Sequence, residues 1–542
     1  MTKLVAASNA PSEWKTVADY VCDGVADQSE IQSAFGGGEG IVLSPGTFNI
    51  SGDIQATYGD MTGQGPDQTQ LTFTNNAHLY ANSTAVQTIQ GFSFYGSGYS
   101  GGAIWHGVLT VRGPNKTLKN LNGSADGSIQ AVFLFLADPA INNSIQNILV
   151  ENCHVDGANT YAFLHSQWFY QTTPFTPVDA KSTHKDITYL NCSATNCGSA
   201  TGYNRWVTGF DFAEMNHIEN LIVRNCRAEK NWESGFHFEW APTKTNCLLE
   251  DCVSLNNGQK PYKESDFSGG NPWPSHGTDY FGTGFNCFNQ FDCSVTFRRC
   301  YAEGNSWFGF CVNKGVVLED CVEYHTGKTL LRNETTRTIS PTLKNLYKPS
   351  GYRVYPSRYG SVTYTLQMED CSSFECEGFA IHCDSADRIL INGLTIVDPV
   401  GVSGIGCCFG CVANQFSNAS VSGLAIYCNL STPLWCQAND TATYDGSYIV
   451  TTGTAPFYFA GPTTNDCQVK NFIVYSDATL EGETGVTRDG TFGSGELIVS
   501  GMSQQSYANA PTKPTAYMPG SGPILYGEQF LEEIILTWED PE

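Results

Sequence analysis

The sequence predicts an all-β solenoid in which short strands wind into coils and the coils stack in parallel. Three observations carry that expectation. One segment recurs seven times: NILVENCHVDG, DITYLNCSATNCG, NLIVRNCRAEKN, CLLEDCVSLNNG, VTFRRCYAEGN, GVVLEDCVEYH and TLQMEDCSSFEC. Its anchor is a cysteine after Asn, Asp or Arg, at Cys153, Cys192, Cys226, Cys252, Cys300, Cys321 and Cys371, and the compact spacings of 26 and 21 residues are the length of one coil. Within each unit, three stretches are apolar at every second residue and are separated by Asn, Asp or Gly, which gives three strands per coil.

The first strand points Val150, Val223, Leu249, Phe297, Leu318 and Met368 inward. The second starts at the cysteine and points small residues such as Val155, Ala228 and Ala302 inward. The third begins with Gly-Phe, at Gly209-Phe210, Gly235-Phe236, Gly284-Phe285, Gly309-Phe310 and Gly378-Phe379. Stacked coils place like residues about 4.8 Å apart, so the phenylalanines form an internal ladder. The 21 cysteines are spread along the chain and read as mostly free, buried thiols.

Composition narrows the function. Of 542 residues only 15% are charged, while Gly numbers 55 and aromatics reach 12%, which leaves most of the surface polar and uncharged. The net charge of −25 repels phosphate backbones and anionic lipid, which argues against nucleic-acid partners. No apolar run approaches the eighteen or so residues of a membrane span. The first residues, MTKLVAASNAPSEW, lack the apolar core of a secretory signal, so the chain is expected either to be numbered from a mature start or to be released without that pathway, as virion proteins freed by lysis are; the expected location is a virion surface or the extracellular space.

With these repeats in view, the chain resembles the right-handed parallel β-helix proteins of the pectin-lyase-like superfamily, in particular phage and viral tailspike-type proteins. ADYVCDGVADQSEIQSAF followed by GIVLSPGTFNIS resembles their opening segment, where a short amphipathic helix covers the first coil. MTGQGPDQTQLTF is similar to their Gly-x-Gly coil. The resemblance implies a right-handed β-helix, a cell-surface glycan as partner, contact with other virion proteins, and a homotrimer. The expected organisation is a capping segment at 1–40, coils over 41–476 with inserted loops at 161–183, 258–281 and 328–358, and a C-terminal capping or oligomer-contact segment at 477–542.

In the third strand the residue after Phe faces solvent, which stacks Asp211, His237, Asn286 and Cys311 in one outward column. Glu239 belongs to the next outward column. Ladder geometry puts the Asp211 and Glu239 backbones roughly 8 Å apart, which suits two carboxylates flanking a glycosidic bond with a water between them. Asp211, Glu239 and His237 are therefore the candidate catalytic residues, one carboxyl as acid and the other as base. The alternative is an ordinary solvated polar ladder. Six of the ten tryptophans, Trp168, Trp206, Trp232, Trp240, Trp273 and Trp307, cluster around this region and, with Asn286, are the candidate sugar-binding residues; the alternative is packing back onto the solenoid. Glu233, His276 and Asp279 are reserve candidates.

Pectate-type lyases of the resembled superfamily use a basic residue and commonly Ca²⁺. The outward columns read here hold no Lys or Arg and no calcium-type loop, which favours hydrolysis of a neutral glycan without metal or cofactor. Residues 328–358 carry seven bases against the single acid Glu334, and Arg337, Lys344 and Arg353 are the expected contacts to an acidic partner. Cys407, Cys408 and Cys411 lack the spacing of a zinc site. Two functions lead, a tailspike-like glycan hydrolase and a non-enzymatic virion decoration, spike or adhesin; a secreted microbial polysaccharide hydrolase or epimerase outside any virus is a third.

Overall fold

A computed structural model describes residues 2–515, except 37, 58, 139, 142–143, 168–181, 200–206, 213–216, 240–243, 260–281, 289–292, 313–314, 328–348, 355–365, 384–385, 401–408, 412–415, 438–440, 461–465, 483–484 and 489–495. Its core is a stack of three-strand coils. In one coil the strands are His217–Arg224, Arg227–Glu229 and Phe236–Glu239, and each pairs in parallel with its counterpart one coil on. Three parallel sheets result, named first, second and third after the strand order.

The cysteine anchor has a backbone cause. The residue before each anchor has a left-handed φ: Asn152 51°, Asn191 54°, Asn225 53°, Asp251 55°, Arg299 49°, Asp320 52° and Asp370 48°. Asn and Asp tolerate that region because their short polar side chains bond locally. Arg299 is the exception, and its guanidinium grips Asp251 through Nε and Nη2 at 2.7 and 3.0 Å. The cysteine then turns inward. Sixteen described cysteines are free thiols and all are buried.

The inner columns follow the expected register. Val150, Tyr189, Val223, Leu249, Phe297, Leu318 and Met368 align across successive first strands and are buried. In the third sheet, rings of Phe133, Phe163, Phe210, Phe236, Phe285 and Phe310 stack 4.8–5.0 Å apart and within 15° of parallel. The next ring is not Phe379. Phe379 pairs with Ser350, and Tyr352 takes the stack position 5.2 Å from Phe310. Its hydroxyl donates to the carbonyls of Cys321 and Ser372 at 2.7 and 2.8 Å, which satisfies a phenol that burial would otherwise penalise.

The glycines of three Gly-Phe pairs, Gly209, Gly235 and Gly284, make room for an internal amide ladder. Asn231, Asn257 and Asn305 stack there, with the Asn231 and Asn257 amide N–H groups each donating to the next side-chain Oδ1 at 3.0 Å. A Cβ on Gly235 would stand 2.2 Å from Ser254 Oγ, and one on Gly284 would stand 2.7 Å from Asn305 Nδ2.

At the N-terminal end, Lys3–Ala6 pairs in parallel with Tyr20–Val21 and Ile41–Leu43. Helix Gln28–Phe35 packs on these strands through buried Ile31, Ala34 and Phe35, as the opening segment predicted. Asp27 fixes its start by accepting the Gly24 and Asn49 amides at 2.9 and 2.7 Å. At the other end, the coils run on past residue 477, through Leu497–Ser500 and Ser503–Gln505. The following chain turns back along the outer face of the second sheet, where Tyr427 Oη donates to the Thr512 carbonyl at 3.3 Å and Lys513 pairs with Asp398 at 2.5 Å. Beneath it lies an outer apolar cluster of Phe374, Val397, Tyr427, Val450 and Tyr475. Among the described residues no helix is long and apolar enough to cross a membrane.

Candidate functional site

The outer column of the third sheet is built by parallel register. Leu134 pairs with Leu164, then Leu164 with Asp211, Asp211 with His237, His237 with Asn286, and Asn286 with Cys311. The column continues to Arg353 and His382. The sequence placed Asp211, His237 and Asn286 at equivalent positions, and they are; it also expected them to be solvated, and they are not. Asp211 is 2% exposed, His237 4% and Asn286 1%. The same outer face is apolar on the coils just before, where Ala131, Leu134, Leu136, Tyr161 and Leu164 form a second buried cluster, so the polar run continues a buried face instead of opening a solvated one.

The buried polar groups bond to one another and to their own coil. Thr208 Oγ1 donates to Asp211 Oδ2 at 3.3 Å, and Asn286 Nδ2 lies 2.9 Å from His237 Nδ1. Asn286 Oδ1 is buried with no hydrogen-bond partner among the described residues. Glu239 closes the strand Phe236–Glu239 with its backbone opposite Phe288, and its side chain lies outside the described atoms.

Trp168, Trp206, Trp240 and Trp273, and the reserve residues His276 and Asp279, also lie outside the described residues. Of the two described candidate tryptophans, Trp232 packs against the main core, and Trp307 is 3% exposed and stacked on Phe308 at 4.4 Å. Both therefore pack back onto the solenoid instead of lining an open groove. Glu233 is buried at 3% exposure.

Arg337 and Lys344 fall outside the described residues, but Arg353 corrects two expectations. It is not part of an exposed basic loop: Ser350–Val354 is the third strand of a coil, and Tyr352 pointing in forces Arg353 into the outer column at 5% exposure. Its guanidinium lies 5.8 Å from the Phe308 ring centre. The column thus contains a base, against the expectation that it held no Lys or Arg. His382, stacked on Phe379 at 4.4 Å, and Lys244, buried with its ammonium 5.3 Å from the Phe238 ring, were also missed. For His382 the signal was available in the alternation of FAIHC once Tyr352 is placed in the stack.

One buried acid stands behind this sheet. Glu323 is fully buried in the second-sheet inner column between Ala302 and Ser373. Its Oε1 accepts the Thr326 amide at 2.8 Å and its Oε2 accepts Ser373 Oγ at 2.5 Å. Burial outweighs these bonds and pushes its carboxyl up to about 7.

Of the cysteines weighed as a soft-metal site, Cys407 and Cys408 lie outside the described residues and the Cys411 side chain outside the described atoms. Among the described residues one trio, Cys22, Asp27 and Glu30, brings ligand atoms within 4.8 Å of one another. Both Asp27 oxygens already hold backbone amides, and burial pushes the Cys22 thiol up so that it stays protonated, which fits a structural tie between the turn at Gly24 and the strand at Asn49 better than a metal centre.

No protein-family profile and no curated protein matches the chain. Solved structures do superimpose on it. A rhamnogalacturonan lyase is 13% identical, covering 68% of this chain and 87% of its own at a TM-score of 0.37. ORF18 of Geobacillus virus E2 is 11% identical, covering 75% and 59%, with a TM-score of 0.33. PfbA, a surface adhesin of Streptococcus pneumoniae, is 10% identical, covering 81% and 89%, with a TM-score of 0.35. Three-strand coils in continuous parallel register, an internal ring stack and an amide ladder define the architecture: the chain is a parallel β-helix.

Proposed function

We propose that this β-helix binds a cell-surface glycan along the outer face of its third sheet and hydrolyses it, with Asp211 and Glu239 as the carboxylate pair and His237 between them. The observation that carries this reading is the buried run of Asp211, His237 and Asn286 on three successive coils, with the Asn286 Oδ1 acceptor left without a partner among the described residues. A buried polar group without a partner costs about 1–3 kcal/mol, and coils immediately before the run place Leu134 and Leu164 at the same position instead. The fold does not require these groups, so a ligand that bonds to them accounts for their presence. A sugar hydroxyl suits the Asn286 acceptor. In the reaction one carboxyl protonates the leaving glycosidic oxygen while the other takes a proton from water, whose oxygen bonds to the anomeric carbon as the C–O bond breaks.

The preference for a neutral glycan rested on a column without a base, and Arg353 removes that ground, so anionic glycans belong in the same test. Display on a virion, assembly as a homotrimer and contact with other virion proteins belong to this reading through the resemblance of the opening segment. Glycan recognition without turnover, through the same column, is the second reading: Asn286 offers a hydrogen-bond acceptor whether or not a bond is cleaved.

The test is incubation with a panel of neutral and anionic surface polysaccharides, following reducing ends and product mass. Products that gain one water support hydrolysis, and Asp211→Asn with Glu239→Gln should then lower the rate by about 10²–10⁴-fold or more while leaving thermal stability nearly unchanged. Unsaturated products would replace hydrolysis by elimination. Binding with no product would establish the second reading.

A further inference from the structure

The histidine at the centre of the outer column is held by the residue one coil on. His237 and Asn286 are direct partners in parallel register, and Asn286 Nδ2 sits 2.9 Å from His237 Nδ1. An amide nitrogen can only donate, so Nδ1 accepts and the ring proton stays on Nε2. The opposite amide orientation would place Oδ1 against Nδ1 and leave an NH₂ group without that acceptor at 1% exposure. As oriented, Asn286 leaves only Oδ1 without a partner among the described residues. A carbonyl oxygen lacking a partner is better tolerated than an orphaned N–H, so the observed orientation is the less costly one.

We propose that Asn286 is a positioning residue that fixes the tautomer of His237, with Nδ1 as acceptor and Nε2 carrying the proton. The geometry stands by itself, and the purpose rests on the outer column being the reaction site. A neutral imidazole held this way presents an N–H at Nε2 and no lone pair there. His237 then donates a hydrogen bond through Nε2 to a carboxylate or to a developing negative oxygen, and the general base must be one of the two carboxylates. That division follows from the chemistry of one amide.

The experiment is long-range ¹H–¹⁵N correlation on the full chain labelled at histidine, with His237→Gln used to assign the His237 ring. The wild type should show one tautomer, with a pyridine-like Nδ1 and a pyrrole-like Nε2. Asn286→Asp replaces the donor with a group that only accepts and should move the proton onto Nδ1. Asn286→Leu keeps the bulk without hydrogen bonds and should give a mixture of both tautomers. Thermal denaturation identifies which variants fold, and the wild-type spectrum tests the proposal even if neither does. A wild-type ring protonated at Nδ1, or a folded variant with the wild-type pattern, overturns it. Since the readout is spectroscopic, absence of glycan cleavage beside the expected tautomer would strike the proposed function alone.

Discussion

The two faces of the third sheet differ in what they repeat. On the inner face one ring fills seven consecutive coils, from Phe133 to Tyr352, at 4.8–5.2 Å spacing. One residue further along the same strands, the outer face changes at every coil after Leu164, through Asp211, His237, Asn286, Cys311, Arg353 and His382. Backbone and register are common to both faces, so the fold does not impose the variation. Like rings gain contact from each neighbour in the stack, whereas the outer run brings groups of different chemistry side by side. Within one chain, repetition marks the residues that build, and its breakdown marks the column on which the proposed function rests.

The sharpest way to break this comparison is to weigh one residue from each face. Phe236→Ala removes a ring stacked 4.8 Å from Phe210 and 5.0 Å from Phe285, and should destabilise the fold by about 3–5 kcal/mol in urea denaturation. Asp211→Asn keeps the shape and the acceptor for Thr208, and should cost less than about 1 kcal/mol. Equal losses would erase the distinction. Next in size is Glu323, an acid in the second sheet's inner column between Ala302 and Ser373. Its folded carboxyl titrates at about 7 against an ordinary 4.5, so the folded state holds a proton that the unfolded chain releases. Stability from this group is complete below about pH 4.5, falls as pH rises to 7, and is then level, for a total of about 3 kcal/mol. Glu323→Gln should abolish that slope, measured as the difference between wild type and variant across the window. The smallest effect is expected at the chain end: Lys513→Ala breaks a half-exposed ion pair with Asp398 and should cost under about 1 kcal/mol in the same assay.

Much of the architecture was legible because it is local. The residue before each anchor cysteine must adopt a left-handed φ, and Asn or Asp at Asn152, Asn191, Asn225, Asp251, Asp320 and Asp370 shows it directly. Alternation fixed the inner columns and the alignment of Asp211, His237 and Asn286. Tyr352 was missed because its coil carries Gly-Tyr in place of Gly-Phe. Arg353 followed the same error: counting charge along 328–358 treats the stretch as one loop, although its Ser350–Val354 portion is a strand with an inside and an outside. The burial of the outer column was not legible at all. Whether an outward residue meets water depends on what packs over the sheet, and periodicity records only which side of the strand a residue occupies.

The returning segment at 507–513 bears on how the solenoid comes apart. Coils that touch only their neighbours fray one at a time from an open end. Here Thr512 is held by Tyr427, three coils before Gln505, and Lys513 by Asp398, beside the coil before that. Opening the last described coil therefore also gives up this segment's contacts with the earlier ones, and the strands that carry Val397, Tyr427, Val450 and Tyr475 beneath it share that added protection against amide exchange.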